Sequence, residues 1–318
     1  MNYSGRRPKV MLAMSELLTL LEPKDERRHL DMAKAAEDEG ISSLFVSEHV
    51  VMGGSANALG APEEPRDWVR PGMQDPATPW PSPLIKLAAI AGATSTIRLV
   101  AAALIAPLRH PIIAAKDMAT LDLISGGRLT VMPSVSWHVE EYQSLQVDFA
   151  TRGRRLDEHL MIWEALWRDT PATHHGEFYQ FDDTYFSPKP SSGRVTTWFG
   201  GDSLSPALLR RVCRHGDGLF LGFPLDTDDR DRLDAAMRDV GRRADELEIV
   251  GWVAPPEFPR GGGPADIERA LEAVAPTRLA AGCDTLAIKP SAYIDSPDEM
   301  ADFCRSVNRT LANLFPES

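Results

Sequence analysis

The feature that most constrains the fold is a repeat of short apolar runs alternating with helix-like stretches along the 318-residue chain. The run Ile97 to Ile105 is apolar almost throughout, which is typical of a strand buried on both faces of a parallel sheet. The predicted strands are Lys9 to Met14, Ser43 to Ser47, Ile97 to Ile105, Leu129 to Val135, Thr196 to Phe199, Gly218 to Leu221, Ile249 to Val253 and Thr285 to Ile288. Eight strands alternating with helices predict a (β/α)8 barrel over residues 1–318.

The predicted helices separate these strands, and two long loops interrupt the pattern. The helices are Asp25 to Glu39, Pro83 to Thr94, His110 to Leu123, Arg154 to Trp167, Ser205 to Arg214, Arg230 to Glu246, Pro264 to Ala281 and Pro297 to Leu311. A doubly wound open sheet is the alternative fold, but its glycine-rich turn after the first strand is missing. Segments 52–81 and 170–194 are predicted to be long loops, and the first lies at the carboxyl end of a barrel strand.

Charge and cysteine content exclude several classes of function. The 34 basic and 46 acidic residues give a net charge of -12, which disfavours binding to nucleic acid. Cys213, Cys283 and Cys304 are widely spaced and odd in number, so we expect reduced thiols and a cytoplasmic location. No apolar run reaches membrane-spanning length, and no secretion signal is apparent, so we expect no membrane partner.

Several polar residues follow predicted strands, where a barrel places its active site. Glu48 and His49 directly follow the second strand, and a histidine there can exchange protons near neutral pH. The alternative is that His49 only packs beneath the next loop. The segment Gly200 to Ser203 joins a strand to a helix and could receive a phosphate, although a plain N-capped turn is the simpler interpretation.

Three further features have mainly structural interpretations. Trp137 and His138 end the fourth strand and place an aromatic and a titratable group at the rim, although tryptophan more often packs in a core. His174 and His175 lack an evident third ligand, so we predict no metal site. Lys289 ends the last strand and is predicted to be a solvated rim lysine rather than a Schiff-base residue.

Taken in order, the motifs of the chain resemble the bacterial luciferase-like family of flavin- and deazaflavin-dependent barrels. The resemblance covers nearly the whole chain. The motifs are Leu44-Phe45-Val46-Ser47-Glu48-His49, Thr96-Ile97-Arg98-Leu99, Pro107-Leu108-Arg109-His110-Pro111, Leu121 to Leu129, Arg152 to Glu158, Trp198-Phe199-Gly200-Gly201 and Gly216-Asp217-Gly218.

This resemblance implies positions for a bound redox cofactor. His49 matches the histidine of the family's Glu/Asp-His pair near the redox ring, with Glu48 beside it. Ala102 and Ala103 match a bulge with a cis peptide behind the ring. The cofactor-binding positions further include Ser134, Trp137 and His138 at the rim, and Gly200, Gly201, Asp202 and Ser203 in the phosphate turn. Trp68 and Trp80, in the loop 52–81, are expected to cover the substrate.

The fourth strand departs from the family pattern Gly-Val-Gly-x-Gly-Trp. Here the segment reads Met132-Pro133-Ser134-Val135-Ser136-Trp137, so all three glycines are replaced. Pro133 also lacks the N–H that a central strand uses. We therefore expect either a reshaped substrate cavity or weakened cofactor binding.

The leading functional hypothesis is an oxidoreductase that uses coenzyme F420 to move a hydride to or from a small organic substrate, with His49 exchanging the proton. The alternative is a reduced-FMN monooxygenase that depends on a separate reductase. A third hypothesis is a non-catalytic barrel that is empty or holds flavin as a passenger. The resemblance also implies a homo-oligomer, since relatives are often dimers or tetramers.

Overall fold

A computed structural model describes residues 7–15, 17, 20–21, 25–62, 66, 69–259 and 261–316. Eight parallel strands close into a barrel in the order β1-β10-β9-β8-β7-β4-β3-β2, and β5 pairs with β6 outside it. The strands are β1 (Lys9–Ala13), β2 (Ser43–Val46), β3 (Arg98–Ile105), β4 (Leu129–Ser134), β5 (Ala172–His175), β6 (Gln180–Thr184), β7 (Thr196–Gly201), β8 (Gly218–Leu221), β9 (Glu248–Val253) and β10 (Thr285–Ile288). The predicted barrel is confirmed.

Helices surround the barrel, and local capping explains where several of them begin. They are α1 (Glu26–Asp38), α2 (Pro83–Ala93), α3 (Pro111–Ser125), α4 (Val139–Ser144), α5 (Arg152–Arg168), α6 (Pro206–His215), α7 (Thr227–Asp239), α8 (Ile267–Ala280) and α9 (Met300–Leu314). Proline occupies the first position of α2, α3 and α6, where its missing N–H has no cost. The Asp266 carboxylate caps α8 by accepting the N–H of Glu268 at 2.9 Å.

Two expectations about these elements are corrected, and one helix is added. The predicted loop 170–194 contains the antiparallel hairpin of β5 and β6, held by the buried Glu158 carboxylate, which accepts the N–H of Tyr179 at 2.8 Å. The short helix α4 was not predicted. Helix α7 begins earlier than expected because Asp226 caps it, and it ends before Gly241, whose φ of 74° lies in the left-handed region.

The interior of the barrel is filled by aromatic and aliphatic side chains. Near its carboxyl end, the ring centroids of Phe45, Phe220 and Trp252 lie between 5.2 and 5.8 Å apart. At the opposite end, Trp198 is fully buried, and a Cβ on Gly218 would lie 2.5 Å from its ring. The barrel interior is therefore a packed core.

No helix in the described part of the chain is both long enough and apolar enough to cross a lipid bilayer. The three cysteines are buried free thiols.

A buried histidine in α5 gives the fold a predicted dependence on pH. Burial, assisted by the charges of Arg155 and His110, lowers the pKa of His159 from 6.5 to about 3. The unfolded chain takes up this proton below about pH 6.5 and the folded chain does not, so stability is lost as pH falls from 6.5 towards 3. His159→Phe should therefore reduce the loss of unfolding free energy between pH 6.5 and 5 by about 2 kcal/mol.

Urea unfolding at a series of pH values measures this difference. The exposed Met161, which lies on the same helix and does not titrate, provides the control Met161→Leu, for which the pH slope should equal that of the wild type. A His159→Phe slope equal to the wild-type slope would show that His159 is protonated in the folded protein.

Candidate active site

His49 lies at the mouth of the barrel, just after β2, and is paired with a buried carboxylate. Its Nδ1 is 3.3 Å from Oε1 of Glu141, whose side chain is completely buried in α4. A carboxylate only accepts hydrogen bonds, so Nδ1 of His49 donates in this pair. Nε2 makes no hydrogen bond within the described part of the chain, which leaves it available to exchange a proton with a ligand.

The Glu141 carboxylate is held in its charged form. Oε1 also accepts the N–H of Val50 at 2.7 Å, and Oε2 accepts the hydroxyl of Ser136 at 2.8 Å. Burial alone would raise the pKa of Glu141. The hydrogen bond and charge of His49, together with the bonds from Ser136 and Val50, outweigh this effect. The pKa of Glu141 therefore lies below its ordinary value, and the carboxylate can stabilise a protonated His49.

Aromatic side chains surround His49. Its ring centroid lies 4.9 Å from that of Trp80, 5.8 Å from that of Trp137 and 6.3 Å from that of His138. Three side chains that were selected from two separate parts of the sequence thus lie around His49. Trp68, which was predicted to cover the substrate, lies outside the described residues. The roles of Trp68 and Trp80 towards a substrate stay predictions.

His138 joins the loop after β2 to the start of α4. Its side chain is fully buried, and Nε2 accepts the N–H of Gly53 at 2.8 Å, which leaves Nδ1 as the donor nitrogen of the ring. Nearby, Glu140 accepts both the N–H and the hydroxyl of Ser55, at 3.1 and 2.9 Å. A side chain at Gly53 would collide with Glu140, so only glycine fits there. The loop is therefore fastened beside the site.

Two buried donors at this site have no protein acceptor within the described residues. They are Nδ1 of His138 and Nε1 of Trp80. Leaving a buried donor unpaired costs free energy, so such groups usually meet water or a ligand. Both donors belong to residues that contact the His49 ring, and they fit a ligand with acceptor atoms such as a flavin or deazaflavin ring.

The strands beneath the site have the irregular geometry that the family resemblance implies. The Ala102-Ala103 peptide bond is cis, and the pairing of β3 with β4 shifts between Ala102 and Leu104. In β4, the partly buried Met132 packs against the core of the barrel interior. A Cβ on Gly200 would lie 2.8 Å from Met132 Sδ, so a glycine in β7 makes room for the side chain that replaces a glycine in β4.

The fourth strand pairs with its neighbour β7 over a short stretch only. β4 pairs with β7 only at Thr130 with Thr196 and at Val131 with Thr197, although β7 continues to Gly201. Ser134 has a local role, since its hydroxyl accepts the N–H of Ser136 at 3.2 Å. Ser136 adopts a φ of 56°, which turns the chain towards Glu141. The roles of Ser134 and Trp137 towards a cofactor stay predictions.

The turn after β7 is open to solvent. Gly201, Asp202 and Ser203 are exposed, and the N–H groups of Asp202 and Ser203 have no acceptor within the described part of the chain. The turn leads into α6, which Ser205 caps by accepting the N–H of Leu208. Free N–H groups before a helix attract anions, so the turn fits a phosphate. Gly200 is required for packing, because a side chain there would also meet the Phe220 carbonyl.

Glu48 is engaged by the protein itself. Its carboxylate forms a two-pronged ion pair with Arg109, one contact of which measures 2.8 Å, and it accepts the N–H of Ile105 at 2.8 Å. The Glu48 side chain is only 2% exposed. These bonds join the ends of β2 and β3 and fix the backbone that carries His49. Binding of a cofactor by Glu48 stays a prediction, and the structure gives its carboxylate a positioning role.

Sequence reasoning missed Glu141 and Arg109. Glu141 lies 92 positions from His49, and Arg109 lies 61 from Glu48. An acidic residue in the predicted rim after strand four was the available signal for Glu141. Within the described residues, no group of three or more His, Cys, Asp or Glu side chains is arranged to hold a metal ion.

Comparison with known proteins identifies the family. Residues 11–255 match the family described as luciferase-like monooxygenase. An uncharacterised protein of Mycobacterium tuberculosis is 30% identical over 216 residues, which cover 68% of this chain and 72% of that protein. The pyrimidine monooxygenase RutA of Allorhizobium ampelinum is 29% identical over 191 residues, covering 52% of this chain and 51% of RutA.

A solved structure supports the same fold. The F420-dependent secondary alcohol dehydrogenase in complex with an F420-acetone adduct superposes with a TM-score of 0.70 at 16% identity, covering 96% of this chain and 99% of that one. The match over residues 11–255 spans most of the chain, including β1 to β9 and the His49 site. The chain therefore belongs to the luciferase-like monooxygenase family of oxidoreductases.

Proposed function

We propose that this protein is an F420-dependent oxidoreductase that transfers a hydride to or from a small organic substrate. The observation that carries the proposal is the pair of His49 and Glu141 at the barrel mouth, with Nε2 of His49 free of protein partners in the described structure. Interconversion of an alcohol and a carbonyl moves a proton together with a hydride, so it needs such a proton-exchanging group.

In this proposal His49 accepts or donates the proton of the reaction. When an alcohol is oxidised, the hydride leaves the carbon, the O–H bond breaks, and Nε2 of His49 accepts the proton. Glu141 stays ionised and stabilises the positive charge that forms on the imidazole ring. In the reverse direction the protonated His49 returns the proton to the carbonyl oxygen. The buried setting of the pair limits access of water to the reacting atoms.

The remaining site residues fit a bound flavin or deazaflavin. Such a cofactor supplies two-electron redox chemistry, and the protein supplies orientation and electrostatics. Gly201 to Ser203 would hold its phosphate, with the Ser203 hydroxyl as an additional donor. Ala102 and Ala103 would lie behind its ring, and Trp137 and His138 would border it.

The choice of F420 rests on two supports. The motif Arg152 to Glu158 resembles the deazaflavin branch of the family, and a protein with the same fold is an F420-dependent secondary alcohol dehydrogenase. A reduced-FMN monooxygenase is the second candidate, because RutA, a pyrimidine monooxygenase, is among the relatives. This second function would require a reductase to supply the reduced flavin.

A binding titration distinguishes the candidates. Cofactor-free protein is titrated separately with F420 and with FMN while ligand fluorescence is recorded, and we expect F420 to bind at least about tenfold more tightly, a free-energy difference of about 1.4 kcal/mol. A preference for FMN would favour the monooxygenase. Binding of neither would contradict both enzymatic candidates and favour a barrel without this cofactor.

A further inference from the structure

A second cavity opens at the barrel mouth, over the carboxyl ends of β7 to β10. Its volume is about 460 Å³, within the usual range for small-molecule sites. Its lining includes Asp202, which follows β7, Gly222, which follows β8, and Lys289, which follows β10. The His49 site lies over β2 to β4, so the two regions occupy different parts of one mouth. Asp202 belongs to the turn that fits a phosphate.

Cationic side chains from three parts of the chain line this cavity. Arg66 and Arg70 come from the loop after β2, Arg278 from α8, and Lys289 from the end of β10. Asp202 is the one acidic side chain among the lining residues that the structure describes. Lys289 is only 7% exposed, which corrects the expectation of a solvated rim lysine. An excess of positive charge in a recessed site favours an anionic ligand.

The four cations differ in how far the protein already uses them. Arg66 bonds the carbonyl oxygens of Ser291 and Ile294 at 3.1 and 3.0 Å and pairs with Asp295, so it fastens the loop. The Arg70 side chain is exposed and has no ion pair within the described structure. It is therefore available to a ligand.

Arg278 is the best-positioned of these cations. Its Nε donates to the Trp252 carbonyl at 2.9 Å, and its Cδ would lie 3.2 Å from a Cβ on Gly251. Its two terminal nitrogens form no hydrogen bond or ion pair within the described part of the chain. A guanidinium that is fixed through Nε and has two unpaired terminal nitrogens is oriented to bind a carboxylate or phosphate.

The rest of the lining is apolar and aromatic. Trp252 forms part of the lining and packs on Phe45 and Phe220 of the barrel core. Tyr293 is buried, and its hydroxyl already bonds the Val253 carbonyl at 3.2 Å. The cavity thus suits a ligand with an apolar body and an acidic group.

We propose that the cavity lined by Arg70, Arg278 and Lys289 binds a carboxylate or phosphate group of a ligand whose other end reaches the His49 site. The inference rests on the proposed function for the identity of that ligand. An acidic substrate and the acidic tail of F420 are two sources of the same chemistry. The cationic lining itself does not depend on which cofactor is used.

The test uses a matched pair of fluorescent probes. Anilinonaphthalene sulfonate carries an aromatic body and an anion, and phenylnaphthylamine is its uncharged counterpart. Arg278→Met should weaken binding of the sulfonate about tenfold or more, as expected for loss of a charge-assisted hydrogen bond, and leave phenylnaphthylamine unchanged. Arg70→Gln should weaken it less, because that side chain is exposed. Arg269→Met, on the same helix but outside the lining, is the control.

Cofactor titrations of the Arg278→Met protein identify the source of the anion. If binding of F420 weakens and binding of its tail-free precursor and of FMN does not, the group is the cofactor's tail. If all three cofactor affinities stay unchanged while sulfonate binding weakens, the group belongs to the substrate.

Unchanged sulfonate and F420 affinities in both Arg278→Met and Arg70→Gln would overturn the proposal. The Arg70 side chain forms no hydrogen bond or ion pair within the described residues, so its variant keeps the test decisive if Arg278→Met fails to fold. The probe titration needs no cofactor, so its outcome is independent of whether the protein binds F420.

Discussion

Replacing His49 with glutamine is expected to lower kcat by about 100- to 10,000-fold, the range by which a positioned general acid or base accelerates a reaction. Glutamine can keep a hydrogen bond to Glu141 but cannot exchange a proton near neutral pH. Because the proposed contacts to the cofactor's phosphate and ring involve other residues, the affinity for the cofactor should change little. Steady-state turnover and cofactor titration of the same protein preparation measure the two quantities.

His175→Gln is the matched control for this variant. His175 is exposed on β5, pairs with Asp182, and does not touch the mouth of the barrel, so its replacement should leave kcat unchanged. If His49→Gln keeps kcat within threefold of the control, the activation free energy changes by about 0.7 kcal/mol or less. That result would show that His49 does not exchange the proton of the reaction.

Arg109→Met is expected to destabilise the fold by about 3–5 kcal/mol, because it leaves the carboxylate of Glu48 buried without its counter-ion. Among the described residues, the N–H of Ile105 would remain as the single partner of this carboxylate. Since domains of this kind are stable by about 5–15 kcal/mol, the loss is a large part of the total. Urea unfolding followed by tryptophan fluorescence measures it.

The double variant Glu48→Gln/Arg109→Met removes the charge as well as its partner, so it should recover part of the loss. Arg168→Met provides a surface comparison, since its pair with Asp169 is exposed to solvent and should contribute no resolvable stability. If Arg109→Met lowers the free energy of unfolding by less than about 1 kcal/mol, the pair does not brace β2 and β3 as argued.

The sequence alone predicts the barrel well, because each strand buried on both faces is an apolar run with a helix beside it. Helix ends are less well predicted, since they depend on single capping contacts such as that of Asp226 at the start of α7. The hairpin of β5 and β6 is missed because its strands are short and largely polar, so no alternation of apolar residues marks them.

The candidate site is predictable where chain position determines it. His49, Trp137 and His138 follow strands, and parallel strands place their carboxyl ends at one mouth. Glu141 and Arg109 are not predictable in this way, because their importance depends on partners that are distant in sequence. The buried Lys289 is mispredicted for a related reason: burial at the rim depends on loops whose path the sequence does not specify.

The replaced glycines of β4 show how a departure from a family motif can be accommodated. Met132 fills space that Gly200 leaves open on the neighbouring strand, and β4 separates from β7 after Val131. The barrel therefore closes with these residues in β4, and a reshaped substrate cavity or weakened cofactor binding stays a prediction.

The measurement that tests the central claim most directly is anaerobic mixing of the protein and oxidised F420 with a panel of small secondary alcohols, including hydroxy acids. We expect the visible absorption band of F420 to bleach with at least one of them, and His49→Gln to slow the bleaching by about 100-fold or more. No bleaching with any alcohol would contradict the proposal, and incorporation of oxygen from O2 into one of them, in a separate aerobic assay with reduced FMN, would favour the monooxygenase.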